Sequence, residues 1–146
     1  MANKEFKIIK KSGEINAYDE YDLLESPAIV SLKNIAHKSI ICVGLWIDYL
    51  TKDKDGHEIE CISIQDANTG EAYSGQSQTF RDSFSDIVNR VKSMNPVPEN
   101  FFIEVLHNTS KSGREFINCA LLSPDRALKR LGICFDEPIQ EQEVEE

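Results

Sequence analysis

The sequence predicts a mainly β domain, a five-stranded antiparallel barrel with one helix between its third and fourth strands. Short runs of β-forming residues recur between polar turns roughly every ten residues. One stretch, Gln78–Lys92, has the period of an amphipathic helix instead. Apolar residues make up 40% of the 146-residue chain, enough to form the core of a single domain.

The five barrel strands are expected from residue 40 onward. They are predicted at Ile40–Tyr49, His57–Gln65, Glu71–Ser74, Phe101–Leu106 and Arg114–Leu122. The charged turn before the second strand ends on Gly56, which favours a hairpin between the first two strands. Strict alternation in the first strand divides its residues between two faces. The row expected in the core is Ile41, Val43, Leu45, Ile47 and Tyr49, and the partly exposed row is Ile40, Cys42, Gly44, Trp46 and Asp48.

Two helices and an N-terminal extension complete the prediction. Apolar residues of the 78–92 stretch fall on one helical face, with Thr79 as the expected N-cap. A short helix is expected over Asp125–Gly132. Around Ile8 the pattern predicts a short strand. The mixed pattern of residues 15–24 predicts no particular element, whereas residues 28–36 fit either a helical or an extended conformation.

Three strands, a helix and two strands follow each other in the order of the OB-fold, which commonly binds nucleic acid strands or sugars. A small α+β sandwich with the same element order is the structural alternative. We expect a single domain over residues 1–135 and a disordered acidic tail over 136–146, which carries six acidic residues and no basic one.

The net charge of -9 excludes nucleic-acid binding by bulk charge, so any such binding requires a local basic surface. No apolar run approaches the ~20 residues of a membrane span, and the first residues do not resemble a secretory signal. The four cysteines form no CxxC pair, which argues against a zinc ribbon. A cytoplasmic protein with reduced cysteines is expected.

Catalytic motifs are not recognisable. His37, His57 and His107 are scattered and belong to no metalloprotease or nuclease pattern. A metal-dependent nuclease would need acids converging at strand ends, and only Asp48, Asp53, Asp55 and Glu60 could serve. We therefore expect no enzyme activity, no cofactor and no metal.

Single-strand binding requires aromatic rings for base stacking beside cations for the phosphates. The aromatic candidates are Trp46, Tyr73, Phe102 and Phe116, and the cationic candidates are Lys52, Lys54, Lys111 and Arg114. Structural roles compete with this interpretation. The rings could cover a barrel end or pack under the N-terminal segment, and Lys52 and Lys54 alternate with acids as in a solvated turn.

Two segments carry a resemblance to a known family. They are GEAYSGQSQTF at 70–80 and TSKSGREFINC at 109–119, one before the central helix and one leading into the last strand. They resemble segments of the small single-stranded DNA-binding proteins of phages and plasmids of Gram-positive hosts. The patterned positions are Tyr73, Ser77, Thr79, Phe80, Lys111, Gly113, Arg114 and Phe116.

The resemblance implies an OB-fold protein that coats single-stranded DNA during phage or plasmid replication and recombination, in the host cytoplasm. The acidic tail could bind replication or recombination proteins, although it ends in Glu145-Glu146 and not in the Pro-Phe tip usual in cellular single-strand binders. An acidic protein-interaction module, such as a phage-encoded inhibitor of a host enzyme, is the alternative function. The oligomeric state does not follow from the sequence.

Overall fold

The computed structural model describes residues 6–132, so the predicted acidic tail at 136–146 lies outside the described residues. Strands hold 40% and helices 27% of the described chain, which makes the fold mainly β. The strands are β1 (Lys7–Lys11), β2 (Val30–Ser31), β3 (Ser39–Lys52), β4 (Glu58–Asp66), β5 (Ala72–Gly75), β6 (Phe101–Thr109) and β7 (Glu115–Leu122). The helices are α1 (Ala17–Leu24), α2 (Gln78–Lys92) and α3 (Pro124–Leu131), with a 3₁₀ turn at Leu32–Asn34.

All strands belong to one curled sheet with the shape of a half-barrel. The order β2-β5-β4-β3-β6-β7 leaves β2 and β7 at its two ends. The long strand β3 pairs with β4 along one edge, and with β6 and then β1 along the other. The sheet therefore has seven strands and not five, because the N-terminal segment contributes β1 and the short parallel strand β2.

A β-bulge in β3 changes which side chains face the core. Val43 pairs with Asp66 and Leu45 pairs with Gln65, so Gly44 is an extra residue in the ladder. A Cβ at Gly44 would lie 3.0 Å from the Cβ of Ala67, so glycine allows the backbone of β3 to approach the segment after β4 closely. After the bulge the even-numbered residues point to the face that odd-numbered residues occupied before it.

The bulge places Trp46 in the main core, where it is 6% exposed. The prediction that Trp46 faces outward is therefore wrong, because it assumed an unbroken alternation along β3. Leu45, Ile47 and Tyr49 pack on the opposite face of the sheet, in a second cluster with the buried side chains of α1.

Helix α2 covers the main core and has the bounds that its apolar period predicts. It buries Phe80, Phe84, Ile87, Val88 and Val91. Its N-cap is Ser77 and not the expected Thr79, and the Ser77 Oγ accepts a hydrogen bond from the Phe80 N–H. Because Ser77 lies at the junction of β5 and α2, this cap also positions the end of the helix near β7.

Candidate nucleic-acid interface

An open groove of about 1140 Å³ lies where the two ends of the curled sheet approach each other. One wall is the segment from the end of β5 into the first turn of α2. The other wall is the β6–β7 hairpin, and the 3₁₀ turn after β2 contributes a third side. The groove therefore combines three segments that are far apart in the sequence.

The lining is polar and nearly neutral. Hydroxyl and amide side chains form most of it, namely Ser31, Asn34, Ser74, Gln76, Ser77, Gln78, Thr79, Asn108 and Thr109. Lys33 and Arg114 are its cations, Glu115 is its carboxylate, and Phe116 is its one aromatic ring other than His107. Such a lining can hydrogen-bond sugar and phosphate oxygens and offers a ring for stacking.

Serines of α2 fix one wall to the edge strand β7. The Ser77 Oγ–H donates to the Ile117 carbonyl over 3.1 Å, and the Cys119 N–H donates to the Ser83 Oγ over 3.1 Å. These bonds satisfy backbone groups at the edge of the sheet, which would otherwise attract another strand. They hold α2 against β7 and so set the depth of the groove.

Histidines hold the third side of the groove, the segment of the 3₁₀ turn, in place. The backbone N–H of His107 donates to the His37 Nδ1 over 2.9 Å, and the ring Nε2–H of His107 donates to the Ile35 carbonyl over 2.7 Å. The Lys38 N–H also donates to the Val105 carbonyl over 2.7 Å. The segment that carries Lys33 and Asn34 is thus fixed to β6.

Two of the eight residues predicted to bind DNA line the groove, Arg114 and Phe116. Phe116 is half-buried and Arg114 is exposed. Lys111 is exposed in the adjacent hairpin turn, where Gly113 adopts a φ of 85°. This positive φ explains the glycine, since other residues rarely adopt it.

Tyr73 lies next to the groove on β5 and is half-buried against the main core. Its hydroxyl donates to Glu71 Oε1 over 2.9 Å. Burial and this acidic neighbour raise the pKa of Tyr73 to about 12, so the hydroxyl stays protonated. Tyr73 is not among the residues that line the groove.

The other predicted residues lie outside the groove. Phe102 is half-buried on β6 between Cys42 and Leu122 of the neighbouring strands. Lys52 and Lys54 are exposed at the β3–β4 turn, and Trp46 is buried beneath α2. The structure therefore concentrates the candidate site at the β6–β7 hairpin.

The β3–β4 turn also contains two of the four acids considered for a metal site, Asp53 and Asp55. Ligand atoms of Asp53, Asp55 and His57 lie within 4.8 Å of one another on the surface. Asp53 Oδ1 accepts hydrogen bonds from the backbone N–H groups of Asp55 and His57, the geometry of an Asx turn. Asp48 and Glu60 are not part of this group.

Apart from Ser77 and Thr79, which belong to the segment at 70–80, sequence reasoning missed the amide and hydroxyl groups of the groove, such as Asn34 and Asn108. The Asn108 Nδ2–H donates to Asn118 Oδ1 across the hairpin over 2.7 Å. Single polar residues at strand ends are typical of solvated surface, so no local pattern distinguishes them.

Comparisons of the chain with protein-family models, with curated proteins and with solved structures found no match. None of the helices within residues 6–132 has the length and apolar character needed to cross a membrane.

Proposed function

We propose that this protein binds single-stranded DNA without sequence specificity, along the groove between the β5–α2 junction and the β6–β7 hairpin. The observation that carries the proposal is the placement of Phe116 beside Arg114 in an open polar groove. A half-buried ring is held firmly enough to stack a base, and the guanidinium beside it can pair with the adjacent phosphate.

The strand order supports the proposal. The order β5-β4-β3-β6-β7, with α2 between β5 and β6 in the chain, is compatible with an opened barrel of the OB type. In this interpretation the groove occupies the seam at which β5 and β7 would close the barrel. The β3–β4 turn, with Lys52 and Lys54, then corresponds to the first of the two loops that flank an OB binding face.

The chemistry of the groove favours binding over reaction. Burial raises the pKa of the Cys61 thiol at the edge of the groove, which disfavours the nucleophilic thiolate. Stacking and phosphate contacts do not read base identity, so a strand of any sequence should bind. The proposed role is to coat and protect single strands during phage or plasmid replication and recombination, in the host cytoplasm and without a cofactor.

The test is the binding of a labelled oligothymidine to the full-length protein, measured by fluorescence anisotropy. Phe116→Ala should weaken binding by about 1–3 kcal/mol, the loss expected for one stacked base. Tyr18→Ala is the matched control, because this exposed aromatic ring on α1 does not line the groove. Equal effects of the two substitutions would contradict the proposal.

The phosphate contact has its own readout. Arg114→Ala should reduce the slope of log affinity against log salt by about 0.7, the value for one phosphate contact on a single strand. Arg126→Ala on the exposed side of α3 is the control and should leave the slope unchanged. If wild-type protein shows no binding at micromolar concentration in low salt, the proposed function is wrong.

A second candidate function is an acidic protein-interaction module, such as an inhibitor of a host enzyme. The observation that favours it is the acidic surface of α1, which exposes Tyr18 and Tyr21. The two functions are compatible, since no residue of α1 lines the groove.

A further inference from the structure

Helix α1 carries two exposed aromatic side chains, Tyr18 and Tyr21. It buries Leu23 and Leu24 against the sheet, while Tyr18 is 85% exposed and Tyr21 is 49% exposed on the opposite side. The two rings are three residues apart and so lie next to each other on the helix surface. Paired exposed aromatic residues are informative because tyrosine is strongly enriched at the energetic centres of protein interfaces.

The surface around these rings is acidic. Between residues 12 and 32 the chain has five acids and no basic residue. These acids are Glu14, Asp19, Glu20, Asp22 and Glu25. No ion pair found within residues 6–132 involves any of them, so their charge is not neutralised by an ion pair within the described fold.

We propose that this face of α1 binds a basic, arginine- or lysine-rich segment of a partner protein. Cations would pack on the rings of Tyr18 and Tyr21 and pair with carboxylates such as Glu25, which combines cation–π attraction with charge complementarity. A nucleic acid does not fit the same face, because the acids of this segment, which form no ion pair within residues 6–132, repel phosphate.

A second copy of this chain is the less suitable occupant. The described basic helix is α3, but Arg130 already pairs with Glu104 and donates to the Lys38 carbonyl over 2.9 Å. The cations of α3 that remain for a second copy are Arg126 and Lys129, and the acidic Asp125 lies on the same helix. Two eight-residue helices also bury far less than the roughly 1,200 Å² of a stable interface.

The test is a titration of full-length protein with fluorescein-labelled octa-arginine at about 0.01 M and about 0.15 M salt. The double variant Tyr18→Ser, Tyr21→Ser keeps the net charge and should weaken binding by at least about tenfold. Met94→Ser, Val97→Ser is the matched control, since it removes two exposed apolar side chains elsewhere and should have no effect.

Three outcomes would overturn the proposal. The first is equal binding by the tyrosine variant and wild type, which would indicate bulk attraction to an acidic protein. The second is no peptide binding below millimolar concentration in low salt. The third is sedimentation showing self-association that disappears in the tyrosine variant, which would assign the face to a second copy.

The same variant separates this inference from the proposed DNA function. Loss of peptide binding with unchanged oligothymidine affinity supports an independent docking surface on α1. Thermal unfolding of the variant should stay close to wild type, because Tyr18 is largely exposed, Tyr21 is about half exposed and neither ring belongs to the buried core.

Discussion

The indole of Trp46 packs edge-to-face against Phe84, with ring centroids 5.7 Å apart, inside the cluster that α2 covers. Trp46→Ala should therefore lower the free energy of unfolding by about 3–5 kcal/mol, the cost of a large core cavity. Urea unfolding measures this loss. Trp46→Phe, which keeps a ring in the site, should cost clearly less. A stable Trp46→Ala protein with weakened DNA binding would show that the ring is exposed after all.

Asp48 illustrates the cost of a buried carboxylate. Its Oδ1 is buried and has no hydrogen-bond partner among residues 6–132. Burial is the main cause that raises the pKa of Asp48, and repulsion from Glu60 raises it further. The folded protein thus holds this proton more tightly than the unfolded chain does. As pH rises from the ordinary aspartate value through the raised pKa, the folded state loses stability relative to the unfolded state.

Asp48→Asn should remove that loss, since the amide is neutral at every pH. The variant is expected to be more stable than wild type at neutral pH, and the difference should shrink on acidification, when Asp48 itself is protonated. Unfolding measured at neutral and acidic pH tests this. Asp86→Asn on the exposed face of α2 is the control. A constant difference at both pH values would contradict the account.

At the scale of elements, the contact between α2 and β7 depends on Ser77. Its hydroxyl both caps α2 and donates to the Ile117 carbonyl. Ser77→Ala should lower the free energy of unfolding by about 1–2 kcal/mol, from a lost cap and an unsatisfied carbonyl. Thr79→Ala is the control and should cost less, because Thr79 does not cap the helix. Equal losses in chemical denaturation would argue against this dual role.

The elements differ in how far the sequence determines them. The bounds of α2 follow from its apolar stripe, because a period of 3.6 residues over four turns has few other interpretations. The alternation in β3 fails at Gly44, since a bulge is set by the partner strand and not by the local pattern. Helix α1 is too short for its two buried leucines, Leu23 and Leu24, to define a period.

Sequence reasoning can predict only those residues of the candidate site that lie close together in the sequence. Arg114 and Phe116 belong to one hairpin and were identified from residue type and spacing. Lys33 and Asn34 line the groove because the segment that follows the 3₁₀ turn is hydrogen-bonded to β6. The bonded residues of the segment and of β6 are about seventy positions apart in the sequence. No single segment encodes such a long-range arrangement, so these residues could not be foreseen.

At the scale of the whole molecule, charge is separated between surfaces. The groove has two cations, Lys33 and Arg114, and one carboxylate, whereas segment 12–32 has five acids and no base. An acidic protein can therefore present a local path for a polyanion while its remaining surface repels it. For the proposed function, this arrangement favours a strand bound along one route.

The C-terminal acids add to that repulsion, so their removal should strengthen DNA binding. Of the 25 acids in the chain, six belong to residues 136–146, which include no base. A protein ending at Phe135 should bind oligothymidine several-fold more tightly in low salt, because fewer negative charges oppose the approach of phosphate. The gain should fade at about 0.15 M salt, where charges more than about 8 Å apart are largely screened. Replacing the six acids by Asn and Gln at constant length should reproduce the gain, since the effect depends on charge. Affinity equal to wild type in low salt, or a gain that persists in high salt, would show that these acids do not act on DNA binding through their charge.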